Sequence, residues 1–424
     1  MQRNALSLFT GPEVERIARQ TKFCQRSPRA IAALPFALCC ALASVVEGKR
    51  GFASVWRLLA IGAGIEVARS AVTQRFDDDS ARFMEALFAL AISRLQQPSC
   101  PEMLSKLERF RQVLADDSTV LQLSPLLGKL FPATRTNSVE AAGKVHVRAD
   151  LLQRRVLDVV VTGERESDVA VGRTQPVAAG TLRIRDLGYN DYDDFARTVN
   201  AQGHFLSRLK AGAAPKIVKV RHGLRNAAAL VRNGVRWNDA LEIEAVKSRT
   251  TMDFDAEFAT KRHGRVVFRV VGVLHEDTST YHFYVTSLAP EDFSPEEIRV
   301  LYSLRWAIEL LMKLLKSSCH LDHVDTSNPG ALRTHIYASL LASVILSGII
   351  AAAAAARGIP LAALSPLVVG IAAPMIALPL AWLWLGRRMT PEDMADCLLG
   401  MIAVGCRDQN PNRTEDKWGM LAAR

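Results

Sequence analysis

No Cys-x-x-Cys pair occurs in this chain of 424 residues, and its seven cysteines are odd in number. A disulfide framework is therefore not expected, and the pattern points to a reducing compartment. The opening MQRNALSLFTGPEVERIARQ carries acidic residues and lacks an apolar core of signal-peptide length, so export by that route is not expected. Basic charge is not collected in one tail either. It is spread through the chain, with a formal net charge of +10 and a pI of about 9.4. A polyanionic partner is the natural reading, beside the alternative of a basic protein that binds nothing in particular.

What the chain does have is apolar residues, 49% of the total, ample for burial without covalent staples. Its length suits roughly two to four domains. Residues 336–356 and 358–386 contain no charge, and both pass the length test for a spanning helix. The first holds six alanines in a row, which gain little in hydrocarbon, and the second is interrupted by Pro360, Pro366, Pro374 and Pro379. Buried helices of a large soluble protein are expected there, with a membrane protein as the rival reading.

Residues 1–105 read as a helical N-terminal domain, with long apolar-periodic runs over 31–46 and 80–95. SVWRLLAIGAG followed by IEVARSAVTQRF has the outline of a helix, a glycine turn and a second helix with Ser70 capping its last part. A helix-turn-helix that meets DNA and a helical hairpin in an ordinary core both fit. The nominal dinucleotide fingerprint from Gly62 to Ala68 has no preceding strand, so it is set aside. After QQPSCPEM the texture becomes α/β. Strands are expected over 110–123, 142–152, 154–163, 181–189 and 204–210, with a helix over 191–203. Such an order describes a mixed sheet with helices on its faces. Residues 216–290 read as mostly β, with strands over 216–223, 239–248, 265–274 and 280–289, forming an insertion or a small second sheet.

SPEEIRVLYSLRWAIELLMKLLKS is expected to be one long helix: Ser294 is an N-cap, Pro295 fits the first turn, and Glu296 and Glu297 suit the positive end. At about 100° per residue from Tyr302, Arg305 falls at about 300°, Glu309 at about 340° and Lys316 at about 320°. These four share a stripe, apart from the apolar face of Leu304, Ile308, Leu311 and Leu315. A solvated face accounts for such a row as well as a site does, in which Glu309 is held for a metal while Arg305 and Lys316 attract phosphate.

The run Tyr302-x2-Arg305-x3-Glu309-x6-Lys316 resembles, at every spacing, the Tyr-Arg-Glu-Lys signature of one large branch of bacterial insertion-sequence transposases, the DDE transposases. Trp306 after the arginine and Ile308-Glu309 match the same wording. Upstream, Asp117-Ser118-Thr119 is similar to the family's first catalytic aspartate and its neighbours, and Asp186-Leu187-Gly188-Tyr189 to its second. Phe205 to Lys210 looks like the next strand, whose arginine, here Arg208, faces the active site in relatives. Asn410-Pro411-Asn412-Arg413 with Lys417-Trp418-Gly419 resembles a common tail.

The resemblance implies an RNase H-like mixed-sheet catalytic domain made of residues 106–215 and 291–345, a β-rich insertion at 216–290 and a helical C-terminal region at 346–424. It implies Asp117, Asp186 and Glu309 as catalytic residues and ligands of two magnesium or manganese ions, with Tyr302, Arg305, Lys316 and Arg208 on DNA. In-line attack on phosphorus builds negative charge on attacking and leaving oxygens, and hard cations held by carboxylates stabilise it. The implied activity is cut-and-paste transposition in the bacterial cytoplasm, on the double-stranded DNA of the element's terminal repeats and of the target, with a homodimer holding the two ends. A decayed or domesticated DNA-binding relative, or a nuclease without strand transfer, is the alternative.

Some residues stay open. Asp116 and Asp117 point to opposite faces of a strand, so one alone can be the ligand, and the Asp-Ser-Thr wording of the resemblance selects Asp117. Asp191, Asp193 and Asp194 stand where helix capping alone explains acidic residues. Tyr302 has packing as its other reading, and Trp237 is either a base-stacking platform or core. Cys319, His320, Asp322, His323 and Asp325 make a rival metal cluster, but no second pair at zinc spacing accompanies them.

Overall fold

The computed structural model describes residues 9–25, 31–46, 51–63, 65–94, 106–134, 139–152, 155–243, 246, 250–275, 280–317, 319–321 and 326–359, and isolated positions between 363 and 392. The tail motif at 410–419 lies outside the described residues. Within them, a nine-stranded mixed sheet organises the molecule. Its strands are β1 (Gln112–Leu123), β2 (Ala141–Asp150), β3 (Arg155–Gly163), β4 (Thr181–Arg185), β5 (His204–Arg208), β6 (Lys216–His222), β7 (Met252–Ala259), β8 (Arg265–His275) and β9 (Thr280–Thr286). The order across the sheet is β3-β2-β1-β4-β5-β9-β8-β7-β6.

The three successive strands expected over 110–163 form the antiparallel ladder β1-β2-β3. β1 then pairs in parallel with β4, and β4 with β5, as the intervening helices require. The strands of the 216–290 block do not make a second sheet. β9 pairs antiparallel with β5, Arg208 opposite Tyr284, so the block prolongs the first sheet. Among the described residues of the segment expected as a strand over 239–248, the first part is helical: Trp237–Glu242 is a short helix, a neighbouring one covers Ala227–Arg232, and Val246 makes an isolated bridge to Leu224. In its place β7 uses the alternating run MDFDAEFA, whose Met252, Phe254, Ala256 and Phe258 face inward.

Two helices lie between strands of the first half, α6 (Asp168–Thr174) and α7 (Tyr192–Asn200). Before the sheet come α1 (Gly11–Gln20), α2 (Ala33–Val46), α3 (Phe52–Leu58), α4 (Arg69–Thr73) and α5 (Asp78–Arg94). The helix-turn-helix outline changes here. α3 runs into a π-helical turn at Leu59–Ala63, and the second helix, α4, has only five residues. Ser70 lies inside α4, while Ala68 stands at its N-cap position.

The long helix expected after Ser294 is two helices, α10 (Pro295–Ser303) and α11 (Trp306–Ser317), numbered after the short pair α8 (Ala227–Arg232) and α9 (Trp237–Glu242). At the junction the backbone tightens: the Leu304 amide donates to the Leu301 carbonyl, Arg305 to Tyr302, and Ile308 to Arg305, each three residues back. Ser294 caps α10 as expected, its hydroxyl accepting from the Glu297 amide at 3.3 Å while Glu297 Oε2 accepts from the Ser294 amide at 2.8 Å.

Of the uncharged stretches, the first belongs to α12 (Pro329–Arg357), capped by Asn328, whose Oδ1 accepts from the Gly330 and Ala331 amides at 2.8 and 3.2 Å. Among the described residues α12 alone is long and apolar enough to cross a membrane, and most of it is buried, against α5 and α2. The Ser80 and Thr334 hydroxyls meet at 2.7 Å, and Tyr337 donates to Glu85 at 2.6 Å. The second stretch lies largely outside the described residues. One continuous apolar core joins α1, α2, α5, α10, α11 and α12 to the β1 and β4 face that carries Val113, Ala115, Leu182 and Ile184.

Candidate active site

The alternation of β1 sends its two aspartates to opposite faces of the sheet. Asp116 projects to the face covered by α6 and α7, where it is buried against Arg148 Nε at 2.8 Å and Arg185 Nε at 3.3 Å. Asp117 projects to the other face, the side of Val113, Ala115 and the helices α10 and α11. Ser118 returns to the first face, where its hydroxyl donates to Asp168 at 2.9 Å.

Asp186 stands one residue beyond the end of β4, at the head of a 3-10 turn over Leu187–Tyr189, and its side chain makes no capping bond. The parallel register pairs Ala115 with Ile184, so one step further Asp117 is level with Asp186. Tyr302, in the last turn of α10, donates its hydroxyl to Asp186 Oδ1 at 3.5 Å. Arg305 sits at the break between α10 and α11, with Nε 3.9 Å from Asp186 Oδ1 and Nη2 donating to Glu309 Oε1 at 2.6 Å.

These positions bring Asp117, Asp186, Glu309, Tyr302 and Arg305 together, and the charges register it. Burial pushes the Asp117 carboxyl up to about 6, and the negative charges of Asp186 and Glu309 add to the rise, although the Ser118 amide and Arg305 oppose it. Burial pushes the Tyr302 phenol up to about 12. The Arg305 guanidinium lies 5.6 Å from the Tyr302 ring centroid, and Tyr302 packs on Tyr284 at 5.2 Å. Arg208, opposite Tyr284 in the sheet, is half-buried, its Nε without a hydrogen-bond partner.

The stripe computed for a single helix holds only within α11. Lys316 comes seven positions after Glu309, which returns it to within about 20° of the same direction. Leu304, Ile308 and Leu315 are buried on the apolar face as expected. Tyr302 and Arg305 reach the site across the break instead, so the packing reading of Tyr302 and its contact with Asp186 hold together.

Among the described residues no three His, Cys, Asp or Glu side chains close into a set that would hold a metal ion by itself. At this site the reason is visible: Arg305 stands between Asp186 and Glu309. The donor chemistry nonetheless suits a hard cation. Three carboxylates lie close enough to act on one another's charge, with Arg305 among them, and the Thr119 hydroxyl, on the Asp117 face, is buried without a partner. Of the rival cluster, Asp322, His323 and Asp325 lie outside the described residues.

Trp237 does not offer a stacking platform. It is buried at the start of α9, 4.9 Å from Phe254 and 4.8 Å from Phe283 between ring centroids. Of the three aspartates expected to cap α7, only Asp191 does so, accepting from the Asp193 amide at 3.2 Å. Asp193 instead accepts from the Lys261 and Arg262 amides at 3.0 and 2.7 Å, fastening the β7–β8 turn. Asp194 is buried under Arg183, Arg185 and Arg197. The signal in the sequence was the strand TLRIR, where two arginines alternate with apolar residues: in a buried strand they demand buried acids.

Residues 108–345 match the family model described as the transposase DDE domain. The chain is similar to the transposase for insertion sequence element IS231F of Bacillus thuringiensis subsp. israelensis, 23% identical over 377 residues, with 81% of this chain and 78% of that one covered. It is also similar to the transposase for IS1151 of Clostridium perfringens, 21% identical, with 67% of each chain covered. Among solved structures it matches a piggyBac transposase synaptic complex with hairpin DNA, at a TM-score of 0.45 and 9% identity, covering 94% of this chain and 84% of that one.

Proposed function

The chain belongs to the DDE transposase family, and we propose that it binds the ends of its own insertion sequence, cleaves them and joins them to a target by metal-dependent strand transfer. The observation that carries this reading is the convergence of Asp117, Asp186 and Glu309 from β1, the end of β4 and α11 around Arg305. Divalent-metal dependence is a property of the family. Bound there, magnesium or manganese, as two ions, supplies Lewis-acid stabilisation of the attacking and leaving oxygens.

The chain's own residues do the rest. Asp117, Asp186 and Glu309 are the carboxylates that hold the ions. Asp117, whose carboxyl burial pushes up to about 6, would have to be ionised for that purpose. Arg305 is the counter-charge that occupies Asp186 and Glu309 oxygens which the ions would take, and with the ions bound it would be available to a phosphate. Tyr302, Lys316 and Arg208 extend the polar rim along the backbone of the DNA, a contact that adds affinity and salt dependence without base readout.

The reading assigns residues 106–215 with 291–345 to an RNase H-like catalytic domain and 216–290 to its β-rich insertion. It gives 1–105 to end binding and 346–424 to a helical region. It places the chain in the Tyr-Arg-Glu-Lys branch, at work on cytoplasmic, nucleoid DNA as a homodimer that holds two ends. The test is a strand-transfer assay with magnesium or manganese on DNA bearing the element's terminal repeats, with Glu309→Gln beside the parent. Joined products from the parent and none from the variant are expected. Hydrolysis without joining makes the chain a nuclease, and a variant as active as the parent removes Glu309 from the site.

A further inference from the structure

Arg183 and Arg185 are both 1% exposed, in a five-residue strand that is buried throughout. A charge in such a place is tolerated only with partners. For Arg185 the partners come from three sides. Its Nε lies 3.3 Å from Asp116 Oδ2 on β1, and its Nη2 donates to Asp194 Oδ2 at 3.2 Å on α7. Its guanidinium lies 5.2 Å from the Tyr189 ring centroid. The fourth wall is Gly172 on α6, where a Cβ would come within 2.7 Å of Arg185 Nη1.

This cage lies on the sheet face opposite the carboxylates, yet it is tied to them through the backbone. Asp116 precedes Asp117, and Arg185 precedes Asp186. The two strands are parallel and level at this point, β4 ending at Arg185. Past that end no ladder hydrogen bond holds Asp186 to β1. The Asp116–Arg185 contact is therefore a link between the two strands at the residues that directly precede the two carboxylates.

We propose that Asp116 and Arg185 are positioning residues: their buried ion pair behind the sheet sets the separation of Asp117 and Asp186 in front of it. The proposal rests on the reading of those two carboxylates as metal ligands. A misplacement on the order of 1 Å at a reacting centre costs about a hundredfold in rate, so a pair that locks the strand ends has a reason to be buried there. Arg183 supplies the contrast. It shares the strand, the face, the burial and the partner Asp194 at 3.4 Å, with the Gly172 carbonyl 3.3 Å from its Nη2. No ion pair joins it to Asp116 or to any other residue of β1 among the described residues.

The experiment is a titration of purified full-length protein with Mn2+, followed by calorimetry, beside thermal melting without metal. Four variants are compared with the parent: Asp117→Asn, Arg185→Gln, Arg185→Lys and Arg183→Gln. Arg185→Gln leaves Asp116 with Arg148, and Asp194 with Arg183 and Arg197, so no acid is orphaned. Arg185→Lys keeps the charge and guards against a variant that does not fold. Asp117→Asn is expected to lose Mn2+ binding. Arg185→Gln should bind it about 10- to 100-fold more weakly, the range for removal of a group that orients ligands, with Arg185→Lys between it and the parent. Arg183→Gln should melt earlier, as Arg185→Gln does, and bind Mn2+ within about twofold of the parent. Parent-like affinity in both Arg185 variants, while Asp117→Asn has lost binding, overturns the positioning role alone. An equal loss in Arg183→Gln overturns it too, by reducing the effect to general stability. Parent-like affinity in Asp117→Asn removes the carboxylate reading and the positioning role with it.

Discussion

Arg305 Nη2 donates to Glu309 Oε1 at 2.6 Å across the first turn of α11, so the guanidinium nearest the carboxylates holds the one that comes from a helix. An arginine and a divalent cation compete for the same oxygens. Arg305→Gln is therefore expected to bind Mn2+ several-fold more tightly than the parent and to cleave DNA at least about tenfold more slowly, because a phosphate partner is lost. Calorimetry with Mn2+ and a cleavage assay read the two effects separately. Weaker Mn2+ binding by the variant means that Arg305 organises the carboxylates rather than competing for them.

The Asp117 carboxyl predicts a pH dependence with a definite sign. Below the ordinary carboxylate value near 4 the group is protonated both folded and unfolded, and costs nothing. As pH rises through about 6 the folded chain must ionise it in a buried place beside Asp186 and Glu309, and stability present at lower pH is lost. With roughly two pH units at about 1.4 kcal/mol each, Asp117→Asn should be more stable than the parent by about 2–3 kcal/mol at pH 7 without metal. Near pH 4 the two should agree. Denaturant melts at both pH values decide, and an advantage that persists at pH 4 has another origin.

Trp237 predicts a stability effect without a DNA effect. Trp237→Ala removes the side chain packed on Phe254 and Phe283, at a cost of about 3–5 kcal/mol. Trp237→Phe should keep much of that packing. Fluorescence anisotropy with a single-stranded oligonucleotide should show the same affinity for Trp237→Phe and the parent. A clear loss of affinity restores the stacking role.

Gly330 predicts how closely α12 meets the start of α5. A Cβ there would lie 2.5 Å from the Asp77 carbonyl carbon and 2.7 Å from the Asp78 nitrogen, both backbone atoms that cannot swing aside. Gly330→Ala should destabilise by about 1–3 kcal/mol in chemical denaturation, against the small gain that alanine usually brings to a helix. An unchanged or raised midpoint would mean that the two helices stand further apart.

Local chemistry made much of the fold legible. The capping residues before Glu297, the apolar face of Leu304, Ile308 and Leu315, and the strand runs of β1, β2 and β3 are written in neighbouring residues, and the chain folds as they indicate. The start of the 239–248 segment is helical where a strand was expected, because an apolar alternation over so few residues suits a strand or a helix equally. Trp237 settles it by packing into the core from α9. The single long helix failed for a similar reason. Periodicity registers which residues are apolar, and it is blind to a tightening of three backbone bonds at Leu304 and Arg305.

The sequence by itself determined the element types around the site and the residue kinds in it: one aspartate in a strand, another at the end of a later strand, a glutamate on a late helix, and an arginine one turn before it. The Asp-Ser-Thr wording already favoured Asp117, and tertiary structure shows where each acid goes. Asp116 and Asp117 are identical neighbours, and only the arginines of β2 and β4, reached through sheet pairing, draw Asp116 to the back face and leave Asp117 with Asp186 and Glu309. The same holds for Asp194, which by position is a capping residue and by contact is the partner of buried arginines. Charge acts through space between residues far apart in the chain, so the pairing that separates a structural acid from a site acid exists only once the strands have met.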